Sequence, residues 1–247
     1  ASNVALSGDV QVASGAVLNL YDGSSVSGAI DGYADNQGQV EVVGGSVTTN
    51  EIGASAALDN VTIARAAALH MGANIAANNI NNYGSLYFGD VNHTITGNVT
   101  GFGGATFDAG LGAHNITGNF TTIAGDILKF NIFDDTAGRI DVAGIATIDA
   151  DTHLSLTINN SSIIKDGDTY TVLTGADGSA ISAINNSNIS VNGNSTNQAG
   201  QYLITSQAQD NHLVLTVNLV ANSTVTTDPS SQNAYNAINS IANATGS

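Results

Sequence analysis

Ile95-Thr96-Gly97-Asn98-Val99-Thr100 returns, one short interval later, as Ile116-Thr117-Gly118-Asn119-Phe120-Thr121. The pattern is an apolar residue, a small residue, Gly, any residue, an apolar residue and a polar one. Working outward, it is found at Leu6-Ser7-Gly8-Asp9-Val10-Gln11, Val26-Ser27-Gly28-Ala29-Ile30-Asp31 and Val43-Gly44-Gly45-Ser46-Val47-Thr48, with a looser copy at Val142-Ala143-Gly144-Ile145-Ala146-Thr147. A spacing of roughly 20 residues, with irregular insertions, is the mark of one unit stacked on itself. A single unit cannot bury its apolar residues, so stacking supplies the core.

Between the copies, apolar residues alternate with period two, as at Ala16, Leu18 and Leu20; Val40 and Val42; Val61 and Ile63; Leu154, Leu156 and Ile158. Gly, Asn and Asp separate these runs, as turns require. No helical pattern intervenes, and the spacing is too uneven for a sandwich of hairpins. A rung of three short strands and three turns fits, so residues 1–158 read as a right-handed parallel β-helix. Seven or eight rungs at a strand spacing of about 4.8 Å give a rod on the order of 35–40 Å. Ala64 to Asn82, rich in Ala and Asn, is expected to hold a loop or a short helical excursion.

From 159 to 222 the repeat stops. Strands are expected at Tyr170, Val172 and Leu173, at Tyr202 to Ile204, and at Leu213, Leu215 and Val217, with a Ser/Asn-rich loop over 185–199. An open rod end would offer unpaired backbone groups to other chains, so this zone reads as a β-sandwich-like cap. In 223–247, Asp228 before Pro229 is a helix start, followed by Ala234, Ile238, Ile241 and Ala242 at helical spacing. The fold class is therefore all-β, a solenoid with a C-terminal cap and a slim helical tail.

The chain has 247 residues, 42% of them hydrophobic and regularly alternating, which disfavours disorder. Only 10% are charged, and 4 Lys and Arg against 20 acids give a net charge of −16. Nucleic acid and anionic membranes are poor partners for such a surface. Almost all the acids are Asp, which suits turns because the short side chain bonds nearby backbone amides. The absence of Cys excludes a disulfide framework and a Cys nucleophile. It also suits a chain that crosses a narrow pore unfolded. With no leader and no starting Met, the chain reads as a piece of something longer.

These zones together resemble the C-terminal end of the passenger of a monomeric bacterial autotransporter. The resemblance is carried by the Gly-rich repeats ending near Ile158, by Gly167-Asp168-Thr169-Tyr170-Thr171-Val172-Leu173, by the closing strand Leu213 to Val217, and by the segment after Pro229. It implies an autochaperone cap that promotes folding during secretion, and a helix running into an outer-membrane barrel. The Thr/Asn/Gly-rich texture of His93 to Thr121 is similar to surface antigens of the rickettsial group. Trp, which many family members carry in the cap, is absent here. The implied partners are the chain's own barrel and a host-cell receptor, and the implied location is the bacterial cell surface, or the medium after secretion. Tyr170, Val172, Leu173, Tyr202, Leu213, Leu215 and Val217 are expected to form the folding and secretion nucleus.

Other chemistry is thinly supplied. His70, His93, His114, His153 and His212 include no metal-binding helical pair. His93 and His114 occupy matching positions one repeat apart and are expected to form a solvated ladder at a turn. Asp134-Asp135 and Asp149 with Asp151 are carboxylate pairs of the sort glycosidases use. Four cations and 5% aromatics are a poor supply for a sugar site. Gly103-Gly104-Ala105-Thr106-Phe107-Asp108 lacks the third Gly of a calcium nonapeptide and reads as a turn. No serine-protease motif is present. No catalytic residue, metal or cofactor is expected. The alternatives to a displayed passenger are a polysaccharide-cleaving enzyme on the same rod, and a secreted filamentous exoprotein or surface-layer protein.

Overall fold

A computed structural model of the chain describes residues 5–159 and 163–220. It is all-β, with no α-helix among the described residues. Strands fall into sheets of ten and fourteen, with a further pair on its own. Pairing through most of the chain is parallel and joins residues about one repeat apart: Ala5 to Ser25, Val10 to Ile30, Val17 to Gln39. Parallel strands need a crossover, which is usually a helix. Here other strands make it, because the chain visits each sheet in turn before returning one strand further on. Long parallel sheets built this way are consistent with a solenoid.

The register places like residues in columns. One runs Val10, Ile30, Ile52, Ile75, Ile95, Ile116, Val142. A second runs Val47, Leu69, Leu86, Phe107, Leu128, Leu154, Ile189. A third runs Val40, Val61, Ile80, Val99, Phe120, Ala146. Apart from the partly buried Val10, these residues all belong to one buried core. β-branched side chains suit the pleat and lose little rotamer freedom there.

The Gly motif marks corners, and not always the same corner. Leu6 pairs with Val26, but Ile95 lies in the column of Val10 and Ile30. Val43 and Gly44 lie at yet another bend, between the strands Gln39–Val42 and Gly45–Thr49. The motif therefore recurs because each corner needs the same sharp bend. Stacking explains the Gly. At φ +127°, Gly97 lies under the Ala77 carbonyl, and a side chain on Gly118 would collide with the Gly97 carbonyl.

Two expectations meet the structure differently. Ala64 to Asn82 contains no helical excursion: it holds the strands Ala67–Met71 and Ile75–Asn82. Ala and Asn are weak strand formers, but pairing on both edges overrides propensity. Parallel pairing also continues beyond Ile158, with Ile140 beside Leu173, Thr147 beside Ala180 and Leu154 beside Ile189. The expected helix after Pro229 lies outside the described residues.

Polar side chains lace successive passes together. Asp9, Asp22, Asp31, Asp35 and Asp90 accept the backbone N–H groups of Ala29, Ser46, Ser55, Ala57 and Leu111. Asn74, Asn92, Asn98 and Asn119 do the same for Thr94, Ala113, Asn119 and Ile145. Amides at corners and strand ends are satisfied this way, beside the backbone bonds between passes.

Candidate functional site

The strand Thr169–Thr174 is where the pairing changes hand. On one edge it runs parallel to Arg139–Val142, and on the other antiparallel to His212–Leu219. His212–Leu219 forms a hairpin with Tyr202–Gln209, which carries the short strand Gln198–Ala199. Seven expected residues meet on this sheet. Tyr170 lies opposite Leu215, and Leu173 opposite Leu213; Val217 faces Ile204. Val172, Leu173, Leu213, Leu215 and Val217 are fully buried, Tyr170 is nearly so, and Tyr202 packs half-buried against the same core. Alternation with period two made these residues visible in the sequence.

Ile204, within the strand expected at Tyr202 to Ile204, joins them, whereas the polar ties of Ser206 and Thr174 carried no signal in the sequence. Ile204 is fully buried beside Val217. Ser206 Oγ accepts the Ile184 N–H and donates to the Ile184 carbonyl, both at 2.8 Å, tying the hairpin to the chain below. Thr174 Oγ1 donates to Asp141 at 2.8 Å across the parallel edge. The partners are 22 and 33 residues apart.

Beside this sheet a cleft of about 410 Å³ is lined by Asp134, Asp135, Ile163, Lys165, Asp168, Thr169 and Tyr170. Tyr170 Oη donates to the Asp134 carbonyl at 2.6 Å. Burial, reinforced by the carboxylates of Asp168, Asp135 and Asp134, pushes its phenol up to about 12, so it stays a donor at neutral pH. The carboxylates here are tied to the backbone: Asp134 accepts the Ile163 N–H and Asp168 the Lys165 N–H, each at 2.7 Å. Asp149 likewise accepts the Asp151 N–H, and Asp151 accepts from Asn185 Nδ2.

The expectation of a solvated histidine ladder is corrected for His114, which is 1% exposed. Its ring lies 6.0 Å from that of His93, nearly parallel. Nδ1 accepts the His93 backbone N–H at 3.2 Å, so Nε2 carries the proton and donates to the carbonyls of Ala109 and Gly89. Burial lowers the pKa of both histidines. The Gly103–Asp108 segment is a turn leading into the strand Thr106–Asp108. Its amides at Gly103 and Ala105 donate to one oxygen of the buried Asp126, whose other oxygen accepts the Ile123 N–H. Burial pushes Asp126 upward, against the pull of these donors.

No protein-family description matches the chain, and a search of curated proteins finds none similar to it.

Proposed function

We propose that this chain is the C-terminal part of a surface-displayed autotransporter passenger: a right-handed parallel β-helix whose C-terminal cap promotes folding during secretion. In this reading residues 1–158 are rungs, 159–222 the autochaperone-like cap, and 223–247 the start of a helix leading to the chain's own outer-membrane barrel. The rod displays adhesive or antigenic surfaces at the bacterial cell surface, with host-cell molecules as receptors. The observation that carries the reading is the strand Thr169–Thr174, parallel on one edge and antiparallel on the other. It ends one column of rungs, and the hairpin beyond it adds Leu213, Leu215 and Val217 to the core. If this end emerges first, each new rung has a finished edge to pair with, and each burial of apolar surface resists backward movement.

Sequencing the gene beyond the codon for Ser247 tests the reading. It predicts alternating strands of about 10 residues that close into a barrel. A stop codon, or further repeats, would sink it in favour of an exported filament.

A further inference from the structure

The outward face of the fourteen-stranded sheet is uncharged over three consecutive passes, on a chain with net charge −16; the pass before them carries Asp59, which accepts from the side-chain amides of Asn60 and Asn78. Its outward residues form short rows. Beyond the bordering row Asn60, Thr62, Ala64 they read Asn79, Asn81, Tyr83; then Asn98, Thr100, Phe102; then Asn119, Thr121, Ile123. Each row runs amide, hydroxyl or amide, then apolar or aromatic.

The middle column is Thr62, Asn81, Thr100, Thr121, and continues to Thr147; in the other direction it meets Glu41, beside Thr62. These side chains are partly or fully exposed. None of the five has a hydrogen bond from its side chain to the protein, among the described residues. Asn98 and Asn119, two residues earlier on their strands, differ: each Oδ1 accepts an amide of the next pass, and Asn98 Nδ2 donates to the Asn78 carbonyl of the preceding one. The flanking column is apolar. Tyr83 and Phe102 are stacked at 4.3 Å and 12°, half-exposed, and Ile123 beside them is 43% exposed. One pair of stacked rings thus stands beside the free hydroxyls, on a chain with only 5% aromatics.

We propose that this face binds a neutral, extended β-linked glycan lying along the rod. The free hydroxyl and amide groups repeat at the strand spacing of about 4.8 Å, close to the rise per sugar of such a chain, and would meet its hydroxyls in turn. Tyr83, Phe102 and Ile123 give the apolar ridge on which sugar C–H faces pack, aromatic faces being electron-rich. The absence of charge over the three rows from Asn79 to Ile123 matches a neutral ligand, and the acidic remainder of the rod, beginning with Asp59 and Glu41 at the border of the face, repels polyanions.

The test is isothermal titration of the purified chain with cellohexaose and chitohexaose, with polygalacturonate as the acidic control. Saturable binding of at least one neutral hexasaccharide is expected. Tyr83→Ala and Phe102→Ala should each weaken it about tenfold or more, and Thr100→Val several-fold. Tyr33→Ala, at an aromatic 72% exposed elsewhere, should leave it unchanged. Circular dichroism melts confirm that each variant folds. Absence of binding to both neutral sugars, equal binding of polygalacturonate, or binding indifferent to Tyr83 and Phe102 would overturn the proposal. Because the readout needs no export, its failure leaves the secretion reading intact, and a failed barrel search leaves the glycan face intact.

Discussion

Asp126 holds three backbone amides on one fully buried carboxylate. Gly101 has no side chain because Asp126 occupies that space. Asp126→Ala strands those donors in the interior and should cost about 2–4 kcal/mol, each orphaned group losing its desolvation compensation. Asp126→Asn keeps one acceptor oxygen and should cost less. Urea unfolding of both variants decides it, and equal costs would show that the carboxylate's charge, not its oxygens, matters. His114 gives a pH prediction of definite sign. Its folded pKa is lowered below 6.5 by burial. Its contribution is therefore complete above the unfolded value and is lost as pH falls toward the folded one. A proton on Nδ1 would also point at the His93 N–H. Asp126, raised by burial, acts oppositely, stabilising less as pH rises through its folded pKa. Melting temperature should therefore drop between about pH 7.5 and about pH 5.5, and His114→Gln should shrink that drop. An unchanged drop would exclude His114 as its source. The sequence showed the Asp-rich turns but not their partners. Asp9, Asp22 and Asp90 bond amides 20, 24 and 21 residues on, a distance that local turn chemistry does not reveal.

A strand in this fold is defined more by its neighbours than by its own residues. Ile75–Asn82, with sequence IAANNINN, is paired on both edges despite its Asn content. Ala and Asn hide it from propensity, whereas the alternating Leu213, Leu215 and Val217 announce their strand plainly. The same logic explains why the Gly motif was legible as a repeat but not as a set of different corners: every corner demands the same bend, so one signature serves several positions. Gly97 tests the corner. Alanine there needs an unfavourable φ of +127° and displaces the Ala77 carbonyl, which belongs to the adjacent pass. Gly97→Ala should therefore cost more than about 2 kcal/mol. Gly89→Ala, at φ +88° with open space around it, carries only the conformational penalty and should cost less. Paired urea titrations compare them, and equal costs would mean that the close approach between passes contributes nothing.

On the scale of the whole chain, stability is carried by contacts between successive passes, so it should behave as a row of neighbours rather than as one block. The two ends differ. Among the described residues, Ala5–Leu6, Val10–Val12 and Val17–Leu20 are each paired on one edge only, whereas at the other end the strand Thr169–Thr174 is covered by the hairpin of Tyr202–Gln209 and His212–Leu219. Hydrogen exchange of the isolated chain should run fastest at Ala5–Leu20 and slowest through the strands Ile127–Phe133 and Thr169–Thr174. Leu215 anchors the covered end, fully buried opposite Tyr170. Leu215→Asp places an unpaired charge there, at roughly 3–5 kcal/mol. Exchange should then accelerate through Thr169–Thr174 and the hairpin while the strands near Ile80 keep their protection. The matching change near the other end, Val42→Asp, should loosen only the passes around it. In a cell that exports the complete protein, the two variants should separate further. If the covered end folds first and the rest builds on it, Leu215→Asp removes the template for every later rung, and Val42→Asp damages only a late addition. Surface display measured by antibody labelling should fall more for Leu215→Asp. Equal display would separate the two ideas cleanly, leaving the hairpin as a cover that stabilises the rod without directing its assembly.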